Sequence, residues 1–372
     1  MKGSIKIGRI LGIPIYINYT WLFVFAFITY MLAVDVFPSD ERNFSQLTYW
    51  LLGICTSLLF FASLLLHELA HSFVCLKNGI PVKSITLFIF GGVARIAKEA
   101  EKPSLEFLMA AAGPFASIAL SAIFGSIWWF TRGVYDPLSS MTGYLAIINL
   151  GLAIFNLVPG YPLDGGRIFR SIVWLITGDH QKATRIASQT GKAIGYLFIA
   201  GGVFIIVRYN MWEGLWIAFV GWFLTMAAAG TSRQATIKQS LGGIKAGDVM
   251  VSDYISISSV LTLKQVHVYI AHTGKLFFLV TDHERLLGSI SVENFARVPQ
   301  QEWDSTTVGQ IMTPVNDMQL LNTEDDALGI LEKMDEVDDN RMVVVDGHNG
   351  ILGLITRDSL LRFALSRRQM AT

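Results

Sequence analysis

The chain has 372 residues, 52% of them hydrophobic and only 16% charged, with a mean hydropathy of +0.47. That composition excludes an ordinary soluble enzyme and places most of the chain in a bilayer. Basic and acidic residues balance at 29 each and the basic ones are scattered at helix ends, so nothing marks a nucleic-acid-binding surface.

The charge is unevenly spread. Residues 1–240 carry 18 Lys+Arg and 11 Asp+Glu, and residues 241–372 carry 11 and 18. The shift predicts a membrane domain over 1–230, a linker over 231–245 with Gly242-Gly243 as hinge, and an acidic soluble domain over 246–364.

Six apolar stretches, near 14–37, 47–76, 105–131, 138–158, 187–207 and 212–230, are long enough to cross a bilayer or nearly so. The first has Tyr19 and Trp21 near its start and lacks a small-residue cleavage site, so no cleavable signal is expected. An even number of spans puts both termini on one side. With that side cytoplasmic, fifteen Lys and Arg lie inside and three outside, which fixes both termini in the cytoplasm.

The second stretch contains His67-Glu68-Leu69-Ala70-His71, in a run with no other charge from Asn43 to Leu76. Histidines four apart leave the same helix face and reach one metal ion. Glu68 sits beside them, as a general base for a metal-activated water must. The bland alternative is a pair of core histidines bonded to their neighbours. Cys55 and Cys75, the only cysteines, lie about 30 Å apart along this helix and cannot bridge. Cys75 follows His71 by one turn and reads first as a small buried hydrophobe.

Residues 81–97 alternate β-branched residues around Gly91-Gly92 and predict a short hairpin. It reads either as an edge that takes up an extended substrate strand or as a plain connection. Ala112-Gly113-Pro114, in the third span, predicts close helix approach and no chemistry. The fourth span leads into Asn156-Leu-Val-Pro159-Gly160-Tyr-Pro162-Leu-Asp164-Gly165-Gly166-Arg167. Its prolines and glycines break the helix ahead of Asp164. Asp164 reads as a third metal ligand or as the N-cap of a following helix. Asn156 and Asn149 both read also as interhelical hydrogen-bonding amides.

Together the two motifs resemble the site-2 protease family of intramembrane zinc metalloproteases, which pairs H-E-x-x-H with a later N-x-x-P-x-x-P-x-D-G-G-R. The resemblance implies zinc held by His67, His71 and Asp164, Glu68 as general base, Asn156 on the substrate backbone, and substrate strand addition at the Gly91-Gly92 hairpin. It also implies single-span membrane substrates, such as an anti-sigma factor, a pro-transcription factor or a signal-peptide remnant. The expected location is the plasma membrane of a prokaryote.

The tail is weakly repeated. Ala246-Gly-Asp-Val-Met matches Val308-Gly-Gln-Ile-Met, and Gly288-Ser-Ile-Ser matches Gly353-Leu-Ile-Thr. Each repeat, 246–298 and 308–364, reads as β-α-β-β-α. This resembles a tandem pair of CBS domains, which implies a packed pair, a homodimer contact or an adenine-nucleotide site. Ser291 and Thr356 are the expected phosphate contacts. Nucleotide-binding members carry an Asp three residues later, where this chain has Asn294 and Ser359; Asp358 is one residue early.

The expected fold class is therefore an α-helical polytopic membrane domain of about six spans with a β-hairpin, followed by an α/β CBS pair. The expected function is zinc endopeptidase cleavage of transmembrane segments. The rival is a non-enzymatic CBS-regulated membrane protein, a channel, transporter or scaffold, which needs neither Glu68 nor zinc.

Overall fold

The computed structural model describes residues 3–40, 44–89, 91–209, 213–282, 285–337, 339–347 and 350–370. Phe90, in the expected hairpin, and Trp212, in the expected sixth span, lie outside them. The chain forms two units, Met1–Arg233 and Gln234–Thr372.

The first unit opens with β1 (Ser4–Ile10) and β2 (Ile13–Asn18), then α1 (Tyr19–Met31), α2 (Gln46–Lys77), β3 (Val82–Phe88), β4 (Gly91–Ile96), α3 (Pro103–Thr131), α4 (Asp136–Asn156), α5 (Asp164–Thr177), α6 (His180–Tyr209) and α7 (Glu213–Leu241), whose residues from Gln234 belong to the second unit. Among the described residues, six segments are long and apolar enough to cross a membrane: Tyr19–Val36, α2, α3, α4, α6 and Glu213–Thr231. Large apolar side chains on them face outward, Phe115 at 74% and Phe130 at 78% exposure, as a lipid-facing surface requires. Some polar groups inside join one helix to another. Thr29 Oγ1 donates to Ser57 Oγ (3.0 Å), and Asn149 Nδ2 to Leu145 O (2.8 Å) and Ser63 Oγ (3.4 Å). Asn149 thus holds α4 to α2, the structural role expected of it.

The first span begins later than residue 14. Ile13, Ile15 and Ile17 alternate along β2, and Ile13 and Ile15 pack with Leu69, Cys75, Ile85 and Met109. The helix starts at Tyr19 because the Asn18 side chain caps it, accepting from Thr20 N. The expected hairpin over 81–97 is present as β3 and β4 but belongs to a four-stranded sheet ordered β1-β2-β3-β4, with β2 and β3 parallel. β4 is an edge of that sheet. The expected linker differs too: residues up to Leu241 continue α7, and only the stretch from Gly242 departs from it.

The second unit holds α8 (Ala246–Val249), β5 (Ser256–Ser258), α9 (Leu263–Thr273), β6 (Phe277–Asp282), β7 (Arg285–Ser291) and α10 (Val292–Phe295). It continues with α11 (Val308–Ile311), β8 (Thr313–Pro314), β9 (Leu320–Leu321), α12 (Ala327–Val337), β10 (Arg341–Val345), β11 (Ile351–Thr356) and α13 (Arg357–Met370). Both repeats show the expected β-α-β-β-α order. They exchange their leading segments. Ala246 and Val249 of the first repeat pack in the core of the second, with Leu321, Ile330, Met342 and Ile355. In return β8 pairs with β7 of the first.

This exchange yields a test. Val249→Asp places an unpaired charge in the second repeat's core and is expected to destabilise it by about 3 kcal/mol or more. In hydrogen exchange of the full chain, β10 and β11 should lose protection more than β6. Protection lost around β5 and α9 alone would contradict the exchange.

Candidate active site

The site is built on α2. His67 and His71 are one helical turn apart and both buried. Asp164 is the first residue of α5, with Leu163 as N-cap. Its carboxylate does not cap the helix; it turns to the imidazoles. His67 Nε2 and His71 Nε2 each lie 3.1 Å from Asp164 Oδ2, and 3.2 Å from each other. A tetrahedral ion with bonds of about 2.0–2.1 Å separates its ligand atoms by about 3.3 Å. The triangle therefore has the dimensions of one face of such a site, and these three residues form the metal-competent cluster among the described residues. Burial alone pushes the Asp164 carboxyl up, but the two imidazoles beside it outweigh this and hold it well below the usual carboxylate range. Asp164 is thus an anionic donor across the neutral range.

α3 supplies what the cluster needs behind it. Met109 O accepts from His71 Nδ1 at 2.6 Å. A carbonyl only accepts, so this ring carries a proton on Nδ1, and in its neutral form it turns an Nε2 lone pair to the cluster. Ser117 Oγ lies 2.9 Å from His67 Nδ1 and serves the other ring. Between them sits Gly113. A Cβ there would lie 2.6 Å from His67 Nε2 and closer still to His71 Nε2. The space between the two Nε2 atoms stays free because this residue has no side chain. Met109, Gly113 and Ser117 escaped sequence reasoning, although Ala112-Gly113-Pro114 marked the close approach.

The segment before Asp164 is shaped by glycines. Cβ atoms at Gly165 and Gly166 would run into the backbone of Leu157 and Gly160, and one at Gly160 would meet Gly191 of α6. The loop 157–163 is pressed between α5 and α6, and Asp164 is delivered from it.

Glu68 lies beside the cluster and faces the sheet. A Cβ at Gly92 would come within 2.5 Å of Glu68 Cγ, so the β4 edge passes directly against this carboxylate. Gly91 has φ +121°, which favours glycine. Asn156 ends α4, half-buried, and its side chain has no hydrogen-bond partner among the described residues. Cys75 is fully buried among Ile13, Leu69 and Ile85, outside the cluster, and packs as a small hydrophobe.

In the tail, the expected nucleotide contacts are engaged locally. Ser291 N and Oγ both donate to Asn294 Oδ1 (2.9 and 3.0 Å), and Asn294 Nδ2 donates to Ile311 O (2.9 Å). Thr356 and Ser359 cap each other: Thr356 N donates to Ser359 Oγ (3.1 Å) and Ser359 N to Thr356 Oγ1 (3.0 Å). Asp358 pairs with Arg362 one turn on.

Comparison with known proteins bears on this geometry. The description "Peptidase family M50" matches residues 55–142 and 132–198, and "CBS domain" matches 308–366. A Synechocystis sp. protein, sll0528, provisionally named a zinc metalloprotease, is 34% identical over 97% of this chain and 96% of its own length. Rip3 of Mycobacterium tuberculosis, similarly named, is 30% identical over 97% of this chain and 93% of its own. A solved structure, the site-2 protease from Methanocaldococcus jannaschii, is 28% identical, with a TM-score of 0.42 over 62% of this chain and 95% of that one.

Gly113→Ala separates the metal pocket from helix stability. Alanine is the better helix former by about 1 kcal/mol, yet its methyl fills the position between the two Nε2 atoms. Elemental analysis of the purified variant is expected to show zinc far below one per chain, with helix content unchanged. Full zinc occupancy would remove Gly113 from the site.

Proposed function

Because this chain belongs to peptidase family M50, the site-2 protease type of zinc metalloprotease, and carries a CBS domain, we propose that it cuts transmembrane segments of other membrane proteins at the His67–His71–Asp164 cluster. The observation that carries this reading is the closed triangle of two Nε2 atoms and one carboxylate oxygen, with each Nδ1 engaged elsewhere. The donor chemistry and the gap at Gly113 fit zinc. When bound, zinc supplies Lewis acidity toward the scissile carbonyl and the attacking water.

The chain's own groups supply the rest. His67, His71 and Asp164 would hold zinc through three protein donors, the number a hydrolytic site uses. Glu68 takes a proton from the attacking water and returns it to the leaving amine. A helical substrate hides its carbonyls in its own hydrogen bonds, so it must unwind locally before it is cut. The open edge of β4 next to Glu68 suits an unwound strand, which pairs with backbone groups at Gly91 and Gly92. Asn156, with its side chain unengaged, holds the substrate backbone. The substrate class is a single-span membrane protein: an anti-sigma factor, a pro-transcription factor or a signal-peptide remnant.

The protein is a multi-pass membrane protein, and the charge distribution favours a prokaryotic plasma membrane with both termini cytoplasmic. The tail reads as a structural or dimerising CBS pair. Ser291, Asn294, Thr356 and Ser359 are occupied in capping, and Asp358 is paired with Arg362, so adenine nucleotide would bind weakly.

Glu68→Gln tests the mechanism. Cleavage of a co-expressed single-span substrate should fall about a hundred- to ten-thousand-fold, while zinc stays at one per chain. Near-normal processing would overturn the role of Glu68. For orientation, reporters fused before Met1 and after Thr372 should both report from the cytoplasm; signals from opposite faces would overturn the six-span count.

A further inference from the structure

Glu106, in the first turn of α3, is fully buried, and Arg170, in α5, is nearly so at 8% exposure. Arg170 Nε donates to Glu106 Oε1 at 2.6 Å, and Nη2 donates to the same oxygen. The guanidinium also reaches Thr184 Oγ1 of α6 (3.4 Å) and lies over the Tyr161 ring, 5.3 Å from its centroid. Glu106 Oε2 is buried without a hydrogen-bond partner among the described residues.

A buried ion pair with an orphaned oxygen is a poor source of stability, because desolvation opposes the attraction. Its place in the fold gives it another use. On α3, Glu106 precedes Met109, Gly113 and Ser117 by three, seven and eleven residues, so all four occupy one face. That face orients both imidazoles and leaves the gap between them. On α5, Arg170 follows Asp164 by six residues in the same helix. The contact therefore joins the helix that shapes the histidine pair to the helix that carries the carboxylate.

We propose that the Glu106–Arg170 pair is a register pin: it sets the axial position of α5 against α3, and thereby brings Asp164 to the histidines. The inference rests on the metal reading above. A one-residue slip of α5 moves Asp164 by about 1.5 Å and turns it by about 100°, whereas metal–ligand distances tolerate about 0.2 Å. Apolar packing alone does not forbid such a slip; a directional charged contact does. Arg170 and Glu106 touch neither substrate nor metal, so they are positioning residues.

The test separates positioning from stability. Zinc affinity is measured by chelator competition on the full chain in detergent, and thermal unfolding on the zinc-free protein. Arg170→Met and Glu106→Gln should weaken zinc binding about 10- to 100-fold. The double variant Glu106→Met/Arg170→Met removes the buried charges together. It should recover the unfolding temperature of the wild type but keep the weakened zinc affinity. Arg170→Lys, which keeps the charge and loses the fork, should fall between. Wild-type zinc affinity in the double variant overturns the proposal. Should the methionine variants fail to fold, wild-type zinc affinity in Arg170→Lys overturns it. A wild-type chain that binds no zinc overturns the metal reading itself, and this inference with it.

Discussion

Keeping two imidazoles and two carboxylates away from bulk water is the constraint on which the membrane unit depends. Ionisable groups at that depth are costly unless each has a partner. α2 carries His67, Glu68 and His71 but cannot satisfy them. One face of α3 serves the two histidines, with a carbonyl from Met109, a hydroxyl from Ser117 and a gap at Gly113. α5 then supplies Asp164, and the glycines around the 157–163 loop allow it to come close enough. Each of these contacts joins elements far apart in the chain, so the site is a product of helix packing more than of either motif alone.

The local chemistry was legible in the sequence because it obeys short-range rules. Spacing of four put His67 and His71 on one face, and the Pro–Gly segment announced irregular backbone before Asp164. Hydropathy gave the six spans to within a few residues, and the alternation around Gly91-Gly92 gave β3 and β4. The β1–β2 hairpin was missed although Ile13, Ile15 and Ile17 alternate, since the adjoining apolar run of α1 swamped the shorter period. The helical run to Leu241 is not legible in hydropathy, which falls after residue 230, while Arg, Gln, Ala and Lys there are good helix formers and carry α7 onward.

What remained hidden is what depends on distance in three dimensions. Nothing in a sequence says that Gly113 faces imidazoles, or that Glu106 meets Arg170 across 64 residues. The segment exchange in the tail is of the same kind. Repeat similarity reveals two units of one pattern, but not that Val249 completes the core of the other repeat. The tail motif positions also show how one residue type serves two ends. A Ser or Thr ahead of a short helix suits a phosphate, and it equally suits a cap, as at Ser291 with Asn294.

The contact at Gly113 bears on how much room the cluster keeps. The two Nε2 atoms and the Asp164 oxygen stand 3.1–3.2 Å apart, with α3 backbone directly behind them. A methyl on that backbone would stand 2.6 Å from His67 Nε2 and nearer still to His71 Nε2. The glycine therefore acts as a spacer: its missing side chain keeps both imidazole nitrogens facing one shared volume, and any larger residue at this single position of α3 would close it.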